Sequence, residues 1–151
     1  MNDPLPAAVG DKVLEIVIRD NLVDRSRELG EKLQAGLHRL QSRYRCIGDV
    51  RGRGLMAGVE IVADRETKVG AAELGDRIAA RMNELGLWAQ LGTQPSFGGI
   101  FRIAPPLTTT DDELERGLGI MEEAFASTMS AMPMHENSEN SASNTFAEAR
   151  L

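Results

Sequence analysis

Cysteine occurs once in this sequence, at Cys46, which excludes an internal disulfide and a multi-cysteine metal cage and fits a reducing compartment. The only two histidines are His38, among charged residues on a helical pattern, and His135, in a Ser- and Asn-rich stretch; neither has a second ligand at metal-binding spacing. Basic blocks are lacking as well. With 23 acidic against 17 basic residues the net charge is -6, so nothing points to a phosphate backbone as partner, and nucleic acid is excluded as an expected ligand. No apolar run approaches the roughly 18 residues of a membrane span, and the opening MNDPLPAAVG has neither a basic n-region nor an apolar h-region. Together these absences imply a cytoplasmic protein, neither exported nor membrane-bound.

What is present is an ordinary globular composition, 42% hydrophobic and 26% charged over 151 residues, enough for one domain with a real core. Val9, Val13, Ile16 and Val17 fall at helical spacing, and Leu22, Leu29, Leu33, Leu37, Leu40 and Tyr44 continue a 3.6-residue stripe after Asp20-Asn21. This predicts helices over 6–19 and 22–44. In CIGDVRGRGLMAGVEIV, residues 46–62, Leu55, Ala57, Val59 and Ile61 alternate with their neighbours around glycine-rich turns, which predicts a strand pair. Leu74, Ile78, Met82 and Leu85 mark a third helix that Gly86 can end, followed by a short strand near 87–91 and another in GGIFRIA. Thr110 and Glu113 match a capping box for a last helix that carries Leu114, Leu118, Met121 and Phe125 and fades near residue 130. From Pro133 the chain is rich in Ser, Asn and Glu without periodic apolar residues, the composition of a disordered tail.

Arg102 stands out because it lies inside the apolar run of GGIFRIAPPL. Strand alternation puts Phe101 and Ile103 on one face and Ile100, Arg102 and Ala104 on the other. Two readings stay open from the residues alone. One is an edge-strand arginine in solvent or paired within the domain; the other is a clamp for a substrate carboxylate, whose two oxygens match the guanidinium fork. Arg51 and Arg53 in VRGRG fit no phosphate-loop pattern and read as solvated hairpin arginines. Cys46 reads as a small buried hydrophobe. No pair of carboxylates forms an acid/base couple, and no complete set of catalytic residues is present.

Three stretches in order, DPLPAAVGDKVLEIV (3–17), IGDVRGRGLMAGVEIV (47–62) and FRIAPPLTTTDDEL (101–114), resemble the C-terminal part of the class III pyridoxal-phosphate-dependent aminotransferases over about residues 1–130. DPLPAAVG, CIGDVRGRG and FRIAPPLT are most like the members that decarboxylate 2,2-dialkylglycines. The resemblance implies an α/β (α+β) sandwich, a small and mostly antiparallel sheet covered by helices, as in the C-terminal domain of fold-type I enzymes. Residues 1–20 would be the helix connecting it to a large domain, 21–130 the small domain and 131–151 a tail with no counterpart.

The resemblance also implies roles. Arg102 matches the arginine that binds the substrate α-carboxylate. Asp3 matches a carboxylate that helps hold an alkali cation, potassium or sodium; its other reading is a helix N-cap. The lysine that bonds pyridoxal 5'-phosphate, and most other cofactor contacts, belong to the large domain, whereas Lys12, Lys32 and Lys68, the only lysines, lie in no stretch like that motif. No catalytic and no cofactor-binding residue is therefore expected in this chain, which by itself would be inactive. The complete enzyme would act on a small amino acid and a keto acid: a 2,2-dialkylglycine plus pyruvate giving ketone, CO2 and alanine. Its large cofactor-binding domain would come from the same or another chain, and it would form a homo-oligomer. An ordinary class III aminotransferase acting on ornithine or 4-aminobutyrate is the alternative, and a non-catalytic remnant that dimerises or docks is another.

Overall fold

The computed structural model describes residues 4–94 and 98–131. Helices α1 (Pro4–Arg19) and α2 (Leu22–Arg43) come first, then strands β1 (Ile47–Arg53) and β2 (Met56–Ile61), helix α3 (Ala72–Glu84), strands β3 (Gln90–Gln94) and β4 (Gly98–Ile103), and helix α4 (Asp111–Ser130). The four strands form one antiparallel sheet in the order β1-β2-β4-β3. Helix α2 packs on β1 and β2, α3 on β2, β3 and β4, and α4 lies against α2 and α3. This is the small helix-covered antiparallel sheet that the family resemblance implies. The tail assigned to 131–151 lies, from residue 132, outside the described residues, as does Asp3.

Strand alternation sorts the sheet into two unlike faces. Val50, Val59, Phe101 and Leu91 form one cross-strand row, and the first three are buried under the helices. The α2 stripe of Leu29, Leu33, Leu37 and Leu40 meets this face, joined by Ile78 and Met82 from α3. Phe125 on α4 stacks on Tyr44 with ring centroids 5.3 Å apart. Burial of this apolar area is what holds helices and sheet together. The next row, Arg51, Gly58, Arg102 and Gln90, points to the opposite, uncovered face.

Two glycines allow α2 to lie directly on the β1–β2 turn. Gly54 adopts φ +55° in the two-residue turn, and a Cβ on Gly30 would stand 2.4 Å from the Gly54 Cα, so a larger residue there would push the helix off the hairpin. At its other end α2 is closed by Arg65, whose Nε donates to Ile47 O at 3.0 Å and whose Nη2 donates to Tyr44 O at 2.9 Å and to Gln41 O. The bonds to Gln41 O and Tyr44 O satisfy carbonyls left over where the helix stops, and the bond to Ile47 O ties that end to β1.

Two expectations change in detail. The third strand starts at Gln90 rather than near residue 87, because Leu87 N–H still bonds Met82 O at 2.8 Å and belongs to the helix end, where Gly86 takes φ +90°. Strand β4 is interior, between β2 and β3, so Arg102 is not on an edge strand. Arg51 is exposed, as expected, and is in addition ion-paired, bonding Asp49 at 2.5 Å and Glu60 at 3.1 Å.

Helix α1 differs from the other three helices. It buries no residue, and Val9, Val13, Leu14 and Ile18 are all exposed. None of the described helices is long and apolar enough to cross a membrane.

Candidate functional site

Arg102 is held at the middle of the uncovered face by pairing on both sides of β4, against Gly58 of β2 and Gln90 of β3. Phe101 and Ile103, its neighbours along the strand, turn toward the helices, and Phe101 is fully buried, which fixes the direction in which Arg102 projects. Gly58 adds no side chain beside it. On the other flank Arg102 Nη2 donates to Gln90 Oε1 at 2.6 Å.

The two arginines of this row are balanced differently. Arg51 faces two carboxylates, and its guanidinium is raised above its ordinary pKa by hydrogen bonds to Asp49 and then Glu60. Arg102 meets a neutral amide, so its positive charge is not offset by its hydrogen-bond partner. An arginine directed off a sheet, carrying unoffset charge and with most of its five N–H donors free of the amide, can take a carboxylate in a two-point contact.

The loop after Arg102 is fixed from two sides. Arg25 of α2 donates to the carbonyl of the buried Thr109, and Lys32 of α2 pairs with Asp111 at the start of α4. That pair raises the lysine and lowers the aspartate, mainly through the hydrogen bond between them. Thr110 and Glu113 form the expected capping box: Glu113 N–H donates to Thr110 Oγ1 at 3.2 Å, and Thr110 N–H to Glu113 Oε2 at 2.8 Å. The latter bond is the main cause of the lowered Glu113 pKa. A cleft of about 450 Å³ opens between this loop, α2, α4 and the adjoining ends of β3 and β4; Leu33, Leu114, Leu118 and Met121 line it beside Trp88, Gln90 and Arg102.

The remaining candidates lie elsewhere. Lys12 pairs with Glu15 on α1, and Lys68 donates to Gly48 O from a tight turn, so none of the three lysines, Lys32 included, joins Arg102. Cys46 is buried, and burial pushes its thiol pKa up, the opposite of an activated nucleophile. His38 stands on the surface of α2 beside Gln41. Among the described residues no group of three His, Cys, Asp or Glu could hold a metal ion.

Gln90 was not singled out by the sequence reading. Its place opposite Arg102 follows from the β3–β4 register, a pairing that local patterns do not fix.

Comparison with known proteins shows which class of protein this fold belongs to. The family model described as aminotransferase class-III matches residues 1–125, and the chain belongs to that family. It is 42% identical over 127 residues to an uncharacterized aminotransferase of Schizosaccharomyces pombe, covering 84% of this chain and 28% of that protein. To the 5-aminovalerate aminotransferase DavT of Pseudomonas putida it is 40% identical over 124 residues, covering 82% of this chain and 28% of that one. Among solved structures, an amine transaminase from an uncultivated Pseudomonas species in its PLP-bound form superposes with a TM-score of 0.68 at 32% identity, over 77% of this chain and 26% of that one. The chain thus spans about 28% of the length of the curated relatives it matches.

Class III aminotransferases depend on pyridoxal phosphate, which needs an amine to bond its aldehyde and a cradle for its phosphate. The residues of this chain do not fit it as a resident group: the only lysines are engaged on helix surfaces or in a turn, away from Arg102.

Proposed function

We propose that this chain supplies the substrate-carboxylate site of a pyridoxal-phosphate-dependent class III enzyme whose lysine-bearing domain lies outside it. The observation that carries this reading is Arg102: it projects from an interior strand onto an uncovered face, and its partner there is a neutral amide rather than an acid. Residues 1–20 act as the connection to the large domain and 21–130 as the small C-terminal domain; the exposed apolar residues of α1 suit a helix that is covered in the complete enzyme. The complete enzyme is a homo-oligomer that exchanges an amino group between an amino acid and a keto acid.

Within the family, the likeness of DPLPAAVG, CIGDVRGRG and FRIAPPLT to 2,2-dialkylglycine decarboxylase supports a decarboxylating transaminase, which turns a 2,2-dialkylglycine and pyruvate into a ketone, CO2 and alanine. Arg102 fixes the carboxylate of each substrate, and a fixed carboxylate helps decide which bond at the α-carbon is presented for cleavage. Asp3 is assigned to an alkali-cation site whose other ligands lie outside this chain. The 40% identity to a 5-aminovalerate aminotransferase favours a second reading, an ordinary aminotransferase in which Arg102 receives the carboxylate of an ω-amino acid or keto acid. Incubating the complete enzyme with 2-methylalanine and pyruvate separates the two: release of CO2 with formation of alanine supports decarboxylation, and amino transfer from 5-aminovalerate without CO2 release supports the second.

A further inference from the structure

We propose that Gln90 is the positioning residue for Arg102: its side-chain amide holds the guanidinium over the sheet without cancelling its charge, and so sets the enzyme's affinity for carboxylate substrates. The inference rests on the reading of Arg102 as the carboxylate site.

The geometry leaves this task to Gln90. Four torsions separate the guanidinium from the backbone, so an arginine projecting from a sheet samples many directions unless something flanks it. On the β2 side the register places Gly58, which offers no side chain. Beyond it, Arg51 is turned to its own carboxylates, Asp49 and Glu60. On the β3 side Gln90 stands directly opposite and accepts a hydrogen bond from Arg102 Nη2 at 2.6 Å, the one side-chain bond of Arg102 among the described residues. Both residues line the same cleft, together with the exposed Trp88.

The residue type is as informative as the position. A carboxylate at residue 90 would hold the guanidinium more tightly but would occupy the charge that a substrate has to find. An apolar residue would leave the arm unheld, and its ordering would then fall to the substrate at the moment of binding. The amide oxygen accepts the guanidinium's hydrogen bond and carries no net charge. It orders the arginine while leaving it cationic.

The test compares Q90A, Q90E and R102A in the complete enzyme, following the donor half-reaction alone, without keto acid, for a carboxylated amino donor and for an amine lacking a carboxylate. The proposal expects Q90A to raise KM for the carboxylated donor about 3- to 10-fold at nearly unchanged kcat, the scale of one lost hydrogen bond. It expects Q90E to raise that KM further through an internal ion pair with Arg102, and both variants to weaken the carboxylated donor more than the uncarboxylated amine, so that selectivity between the two falls. If R102A impairs the carboxylated donor while Q90A and Q90E behave as wild type, the positioning role of Gln90 is overturned and the Arg102 reading survives. Equal losses on both substrates would reduce Gln90 to a structural residue and also overturn the proposal. An R102A enzyme with unchanged selectivity would overturn the carboxylate reading itself. Independently of turnover, rotation about the Arg102 Nε–Cζ bond, followed by NMR on the 15N-arginine-labelled chain, should quicken in Q90A and stay slow for Arg51; no change at Arg102 would contradict the contact.

Discussion

One sheet carries two faces built to different rules. On the covered face, Val50, Val59 and Phe101 are buried beneath α2 and α3, and the identity of each side chain is constrained by packing. On the open face one row holds Arg51 and Arg102 with only Gly58 between them, and there charge rather than volume distinguishes the residues. Arg51 is matched by Asp49 and Glu60, whereas Arg102 has an amide. The difference separates stability from the proposed function: the covered face holds the fold together, and the one arginine without an acidic partner in that row is the residue proposed to receive the substrate carboxylate.

The comparison can be broken most severely from the covered side. Phe101→Ala removes the ring of a fully buried residue at the centre of β4 and should cost about 3–5 kcal/mol of stability, enough to lower Tm by many degrees in a thermal melt. An unchanged melt would mean that β4 is not part of the core. The same substitution loses any binding by Arg102 only through unfolding, since the two neighbours on one strand face opposite ways.

A smaller effect is expected from acid. Asp20, Asp64, Asp111 and Glu113 all titrate below their ordinary values: Asp20 through its hydrogen bond to Arg19, Asp64 through the backbone N–H of Thr67, Asp111 through Lys32 and Glu113 through the Thr110 N–H. A carboxylate with a lower pKa folded than unfolded stabilises the fold above its unfolded value and loses that contribution as the pH falls through the folded one. Stability should therefore be flat near neutrality and decline below about pH 4. Because these groups are exposed, the decline should be modest. Thermal melts from pH 7 to pH 3 would check it, and a Thr110→Ala variant should show a shallower acid decline because Glu113 loses its hydrogen bonds with the Thr110 hydroxyl.

Much of this architecture is legible in the sequence where the signals are local. The leucine stripe of α2, the alternation of Ala57, Val59 and Ile61, the left-handed Gly86 and the Thr110–Glu113 box each depend on neighbours within a few residues, and each is found where the pattern puts it. Nonlocal facts are not legible in that way. That β4 lies between β2 and β3 is a matter of pairing between residues as far apart as Ala57 and Ile103, and the edge-strand reading of Arg102 failed for that reason. The pairing of Arg51 with Glu60 follows from the same kind of contact across the β1–β2 hairpin. Gln90 belongs with these nonlocal facts, since only the β3–β4 register sets it opposite Arg102 and it carries no composition signal of its own. The direction of Arg102 needed only alternation, whereas its meaning came from the family motif FRIAPPL rather than from physics.

The most direct test of the central claim compares Arg102→Ala with Arg51→Ala in the complete enzyme, measuring kcat/KM for a carboxylated donor. The account predicts a loss on the order of 2–4 kcal/mol in transition-state stabilisation for Arg102→Ala with thermal stability retained, and little change in kcat/KM for Arg51→Ala. An Arg102→Ala enzyme that keeps wild-type kcat/KM, or an Arg51→Ala enzyme that loses as much, would contradict it.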